Sequence, residues 1–164
     1  MILYPRLYCK KVTEITPEYL KENNIKALIL DVDNTLIDFD RNLIEGVIKW
    51  QENMKKNDIK SIILSNSNQF QKIKTVAEAL DISFIRLATK PLKRGFRKAQ
   101  KELNLPAENI AVVGDQIFTD VLGANRCKMF SILVEPIAQK DYLITKIKRP
   151  LENLIIKKYL KKKG

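Results

Sequence analysis

Residues 28–36 read L-I-L-D-V-D-N-T-L. Three aliphatic side chains run straight into two aspartates one position apart, then an asparagine and a threonine. A short unbroken apolar run predicts a strand covered on both faces, as in the middle of a parallel sheet. Asp31 and Asp33 at its end repel each other and resist burial, so the pattern asks for a positive charge between them.

Working outward, apolar runs at 26–31, 61–66, 82–87, 109–114 and 128–134 predict five strands. Between them lie helical patterns. Thr16 and Pro17 supply an N-cap and a first-turn proline. Residues 42–57 place Leu43, Val47, Trp50 and Met54 on one helical face. Further helices are expected from about Asn68 to Leu80, from Pro91 to about Asn104, and briefly between the last two strands. Strands alternating with helices at this spacing define an α/β fold: one doubly wound, Rossmann-like parallel sheet with right-handed crossovers. Neither a repeat nor a Gly/Ser-rich linker divides the 164 residues, so one domain spanning 1–164 is expected. Its motif-bearing core runs from about 25 to 135, followed by a basic amphipathic segment at 140–164.

Composition narrows the chemistry. An apolar content of 45% with 30% charged residues describes a globule with a core. No apolar run approaches the roughly 18 residues of a membrane span. Arg6 and Lys10 interrupt the N-terminus too early for a signal peptide. Cys9 and Cys127 form no metal or disulfide pattern, which fits a reducing cytoplasm. Histidine is absent, which excludes a Ser-His-Asp triad and any histidine-ligated metal. Carboxylates, lysines, hydroxyls and an oxygen-loving cation remain.

The net charge of +11 is unevenly placed. Residues 1–85 carry 12 basic and 12 acidic side chains, whereas 86–101 carry seven basic and no acidic ones. The segment 140–164 adds nine basic against two acidic. Two such blocks favour an anionic partner, although solvated helix faces give the same pattern.

Four polar clusters fall at strand ends or helix starts: Asp31/Asp33/Thr35, Ser65/Asn66, Lys90, and Asp115/Asp120 in V-V-G-D-Q-I-F-T-D. Each alone is an ordinary turn or cap. In an open parallel sheet, however, the loops at the carboxyl edge share one crevice, where ligands bind. The order of the four clusters, on these element ends, is the specific signal.

In that order the clusters resemble the four-motif signature of the haloacid dehalogenase (HAD) superfamily of phosphotransferases. The flanking L-Y-P-R-L-Y-C-K-K-V, I-T-P-E-Y-L and A-T-K-P-L-K-R-G-F resemble the bacterial YqeG-type subfamily, which is similar to the phosphatidylglycerophosphate phosphatases. The resemblance implies Asp31 as nucleophile, carrying an aspartyl-phosphate, and Asp33 as general acid and base in a crowded, partly dry site. It implies Mg²⁺ held by Asp31, the Asp33 carbonyl and Asp115, in an oxygen-only shell that relieves the repulsion noted above. Ser65 and Lys90 would bind and neutralise the phosphoryl group, with Asn34, Thr35 and Asn66 as further substrate contacts. Asp120 would orient Lys90 or a metal-bound water.

Leu36–Arg41 is too short for an inserted cap, and 65–90 holds only one helix and one strand. An open site suits a phosphate on something large. The resemblance favours a lipid headgroup at an anionic membrane surface over a nucleic-acid end, for a cytoplasmic protein peripheral to the inner face of the membrane. Leu143, Ile144, Ile147, Leu151, Leu154, Ile155 and Tyr159 either lie on that surface or pack on the sheet, and so do Ile2, Leu3, Tyr4, Leu7 and Tyr8. The rivals are a nucleotide or polynucleotide phosphatase of the same superfamily, a response-regulator receiver, and a basic nucleic-acid module. The receiver would need its lysine after the fifth strand. The basic module leaves the carboxylates unexplained.

Overall fold

A computed structural model describes residues 1–137 and 143–164, with side chains for 1–137 and 148–164. Six strands form one sheet: β1 (Leu7–Cys9), β2 (Ala27–Leu30), β3 (Lys60–Leu64), β4 (Ser83–Ile85), β5 (Ile110–Gly114) and β6 (Phe130–Val134). Their spatial order is β1-β6-β5-β2-β3-β4, and every neighbouring pair is parallel. The chain winds outward from β2 through β3 to β4, then returns to the other side of β2 with β5 and β6. The order therefore reverses between β2 and β5, the position at which open α/β sheets bind ligands.

The two central strands show why their sequences are apolar throughout. Leu28 and Leu30 of β2, with Ala111 and Val113 of β5, face a core closed by Leu20, Trp50, Met54, Ile73 and Leu80. Ala27, Ile29, Ile110 and Val112 face the other way, onto Phe96, Ala99, Leu103 and Ala124. Side chains alternate with period two while both faces stay covered, so no polar alternation survives in the sequence.

The helices are α1 (Pro17–Glu22), α2 (Val47–Lys56), α3 (Phe70–Leu80), α4 (Lys93–Leu103), α5 (Leu122–Arg126) and α6 (Leu143–Lys163). Thr16 caps α1 as expected, its hydroxyl accepting from the Tyr19 N–H at 3.1 Å. Val47, Trp50 and Met54 bury one face of α2, and the Trp50 indole donates to the Ile15 carbonyl at 2.8 Å.

Several boundaries differ from the sequence expectation. Leu43 precedes α2, because residues 37 and 43 form an antiparallel bridge that delays the helix. Pro91 lies in a turn, and α4 begins at Lys93. The strand β1 was not anticipated: Leu7, Tyr8 and Cys9 pair with Ile132, Leu133 and Val134 at the sheet edge. Leu3 and Tyr8 join Ile155 and Ile156 of α6 around Ile117, Val121 and Leu133, and the Tyr4 and Tyr159 rings meet edge to face at 5.7 Å. Much of both termini thus packs on the body, while Ile2, Leu151, Leu154 and Leu160 stay exposed. The side chains of Leu143, Ile144 and Ile147 lie outside the described residues. Among the described residues no separate cap stands over the sheet, and no helix is long and apolar enough to cross a membrane.

Phe96 is fully buried, with its ring against Gly123, where any added Cβ would collide with it. Phe96→Ala is expected to cost about 3–5 kcal/mol of stability, through lost burial and a residual cavity. Urea unfolding monitored by circular dichroism reads this as a lowered midpoint.

Candidate active site

The switch point between β2 and β5 fixes the first two functional side chains. Asp31 ends β2, its N–H donating to the Val113 carbonyl at 2.9 Å and so extending the ladder by one residue. Asp115 follows Gly114 at the end of β5, on the neighbouring strand. The parallel register puts Asp31 level with Gly114 and Asp115 one residue beyond, so both carboxylates emerge at the same edge of the sheet.

Asp120 arrives from a π turn at Ile117–Val121, a widened turn that leads from β5 into α5. Its Oδ2 accepts from the Gln116 N–H at 3.2 Å, and its own N–H donates to the Gln116 carbonyl at 2.9 Å. Its carboxyl lies where a Cβ on residue 114 would be, so only glycine at that position lets it in. Asp31, Asp115 and Asp120 each bring a carboxylate oxygen within 4.8 Å of the others.

Lys90 crosses from the loop before α4. Its Nζ lies 2.9 Å from Asp31 Oδ1 and 2.7 Å from Asp120 Oδ1, with only 3% of the side chain exposed. Asn66 braces that loop: its Oδ1 accepts from the Lys90 N–H at 2.7 Å and its Nδ2 donates to the Lys90 carbonyl at 3.2 Å. Burial alone would depress the Lys90 ammonium, but the Asp120 and Asp31 carboxylates outweigh it and raise its pKa. Burial pushes Asp120 up to about 6, against the pull of Lys90. Asp115 is also raised well above the usual carboxylate range, by burial and by the charges of Asp31 and Asp120, with Arg149 opposing.

Asp31, Asp33, Ser65, Asn66, Ser67, Lys90, Gln116 and Thr119 line a cavity of about 80 Å³. At about 30 Å³ per water, that is room for a small group such as a phosphoryl. The expected residues thus converge, with two corrections. Asp33 was expected in a crowded, partly dry site, yet its side chain is 51% exposed and pairs with Lys72 of α3 at 2.8 Å. The metal role expected of Asp33 falls to its backbone carbonyl; its carboxylate lies outside the three-carboxylate cluster, whose third member is Asp120. Thr35 was expected to contact substrate, yet it is buried and its hydroxyl faces Asp115 Oδ1 at 3.5 Å. Asn34 takes a left-handed conformation (φ 61°) in the same turn, its N–H donating to the Ile37 carbonyl.

Sequence reasoning missed Lys72, Arg149 and Glu152. Arg149 of α6 reaches the cluster, with Nη2 2.6 Å from Asp115 Oδ2 and Nη1 2.8 Å from the Asp115 carbonyl. Glu152 accepts from Arg149 Nη1 at 3.1 Å and from the Ile117 N–H at 3.0 Å. Nothing in the sequence separates Arg149 from its basic neighbours, or Lys72 from the next lysine of α3.

Three carboxylates, two of them buried, against two cationic side chains leave the cluster short of positive charge, and the ligand atoms these carboxylates offer are all oxygens. That donor set fits a hard divalent cation held by Asp31 and Asp115. A parallel sheet with a carboxylate cluster at its switch point, a lysine across it and a phosphoryl-sized cavity defines a phosphatase of the haloacid dehalogenase type. The chain belongs to the family described as mitochondrial PGP phosphatase, whose family model matches residues 1–138.

Relatives agree with this assignment. The chain is 44% identical to the probable phosphatase YqeG of Bacillus subtilis (strain 168), over 98% of this chain and 92% of that one. It is 25% identical to phosphatidylglycerophosphate phosphatase 1, chloroplastic/mitochondrial, of Arabidopsis thaliana, over 96% of this chain but only 48% of that longer protein. The fold is similar to that of an uncharacterized protein from Listeria monocytogenes serotype 4b, with a TM-score of 0.57, 20% identity, and coverage of 73% and 85% of the two chains. It is also similar to the cobalt-bound deoxy-D-mannose-octulosonate 8-phosphate phosphatase (YrbI) of Haemophilus influenzae, with a TM-score of 0.51, 21% identity, and coverage of 58% and 61%.

Removing Lys90 leaves Asp31 and Asp120 facing each other without their shared cation. Lys90→Met is expected to cost about 3–5 kcal/mol, the usual penalty for breaking a buried pair from one side. Thermal melts in chelator and in excess Mg²⁺ should show the metal stabilising this variant more than the wild type.

Proposed function

We propose that this chain is a Mg²⁺-dependent phosphomonoester hydrolase acting through an aspartyl-phosphate on Asp31, with phosphatidylglycerophosphate as substrate and phosphatidylglycerol as product. The observation that carries the hydrolase reading is the position of Asp31. Its carboxylate ends a central strand, 2.9 Å from Lys90 Nζ, on the wall of a cavity of about 80 Å³.

An oxygen of Asp31 attacks phosphorus; the new P–O bond forms as the ester P–O bond breaks, and the electron pair leaves with the alkoxide. Asp33, on the same wall, gives the alkoxide its proton. It then takes a proton from the water that attacks the aspartyl-phosphate, which releases inorganic phosphate and restores Asp31. Ser65, with Asn34 and the backbone at Asn66, hydrogen-bonds the phosphoryl oxygens. Lys90 offsets the charge that develops beside Asp31, and Asp120 holds Lys90 in place. Mg²⁺, held by Asp31, the Asp33 carbonyl and Asp115, would supply further neutralisation of the phosphoryl charge.

Three features support a lipid headgroup. The family and the name of the Arabidopsis relative point to phosphatidylglycerophosphate. The absence of a separate cap among the described residues leaves the mouth open to a substrate embedded in a surface. Leu87 and Leu92, on either side of Lys90, are 54% and 55% exposed, and Lys93, Arg94, Arg97, Lys98 and Lys101 continue as a solvated basic face of α4. Exposed leucines beside basic residues suit an anionic bilayer better than a nucleic acid. In this reading 1–164 works as one domain, in the cytoplasm, at the inner face of the membrane. The same basic face keeps a phosphorylated nucleic-acid end as the second reading.

One assay tests both levels. Phosphate release is followed from phosphatidylglycerophosphate in anionic vesicles and from a phosphorylated oligonucleotide, with wild type and Asp31→Asn. The expected result is Mg²⁺-dependent turnover of the lipid that Asp31→Asn abolishes. Turnover retained by Asp31→Asn defeats the nucleophile assignment, and preference for the oligonucleotide defeats the lipid assignment alone.

A further inference from the structure

The guanidinium of Arg149 has no place in the reaction outlined above, yet it grips the same aspartate that would hold the metal. We propose that Arg149 is a tethered competitor for the cation site: it holds a carboxylate oxygen of Asp115, and a divalent cation binds there as the turn of α6 that carries Arg149 lets go. The inference rests on the reading of the acidic cluster as a divalent-cation site.

The grip is built rather than incidental. Nη2 takes Asp115 Oδ2 at 2.6 Å and Nη1 takes the carbonyl of the same residue at 2.8 Å, so both oxygens lie in one guanidinium fork. The Asp115 side chain is fully buried and that of Arg149 is 13% exposed, so water screens the pair weakly. Glu152, three residues along α6, aims the fork, with its Oε2 accepting from Nη1 at 3.1 Å. Glu152 is itself anchored, its Oε1 accepting from the Ile117 and Phe118 N–H groups at 3.0 and 3.4 Å. The π turn that delivers Asp120 is therefore the same segment that seats Glu152.

Charge decides the sign. Three carboxylates, Asp31, Asp115 and Asp120, face two side-chain cations, Lys90 and Arg149. Without Arg149 the same three would face one. A guanidinium on a ligand carboxylate occupies part of its lone-pair capacity and repels an arriving dication, so its presence must weaken cation binding. A mere staple for α6 would predict the reverse, because losing a group that orients a metal ligand ordinarily lowers metal affinity.

The helical ladder is also weakened at this turn. Pro150, inside α6, removes one donor from the helical ladder next to Arg149. Beyond it, Ile155, Ile156 and Tyr159 hold the remainder of the helix against Ile117, Val121, Leu133 and Tyr4. By linkage, whatever the Arg149 grip costs the cation, the cation costs the grip.

The test uses the full chain without substrate. Calorimetry measures Mn²⁺ and Mg²⁺ affinity of wild type, Arg149→Gln and Lys161→Gln, the last removing one exposed charge from the same helix. Hydrogen exchange of residues 148–152 in the wild type, with and without Mn²⁺, gives an independent reading should Arg149→Gln fail to fold. Expected are Mn²⁺ binding on the order of tenfold tighter in Arg149→Gln, the scale of other changes beside metal ligands, wild-type affinity in Lys161→Gln, and faster exchange at 148–152 on adding Mn²⁺. Unchanged or weaker binding in Arg149→Gln, or slower exchange with Mn²⁺, overturns the competitor role while leaving the cation site intact. If the wild type binds neither ion, the cation reading itself fails, and this inference falls with it.

Discussion

A single ammonium group, Lys90 Nζ, lies between the carboxylates of Asp31 and Asp120 at 2.9 and 2.7 Å, and the catalytic edge of the sheet is organised around that contact. It joins the end of β2 to the π turn after β5, two segments almost ninety residues apart in sequence. Buried carboxylates this close are tolerated only when paired. The pairing in turn demands that the loop before α4 be held still, which Asn66 does by gripping both backbone groups of Lys90.

Around this contact the fold supplies position and little else. Parallel pairing of β2 with β5 brings Asp31 and Asp115 out at one edge, one residue apart in register, and Gly114 leaves the space that Asp120 fills. These are matters of register and of one missing methyl group. The result is an acidic cluster with fewer cations than carboxylates, raised Asp115 and Asp120 pKa values, and a cavity fit for one phosphoryl group. Phosphoryl transfer asks mainly for aligned charge, and this edge of the sheet provides it.

How much of this the sequence discloses depends on how local the cause is. The central strands are legible because burial on both faces leaves unbroken apolar runs. The four clusters are legible because topology sends every strand end to one crevice. By contrast, β1 is three half-buried residues whose strand character comes only from pairing with β6. Leu43 carries helical spacing, but a bridge with Ile37 overrides it. Thr35 turns inward to Asp115, and Asp33 stays outward with Lys72, because each is placed by contacts with residues remote in sequence. Arg149 is the extreme case: one basic residue among nine in its block, singled out only by where α6 lands.

The central claim is that Asp31 and Asp115 share one divalent cation at the switch point of the sheet. Anomalous scattering from crystals grown with Mn²⁺ tests it most directly. The account predicts one strong peak between these two carboxylates, at about 2.0–2.3 Å from an oxygen of each, typical of oxygen ligands to such ions. A map with Mn²⁺ bound elsewhere and no peak between Asp31 and Asp115 would contradict it.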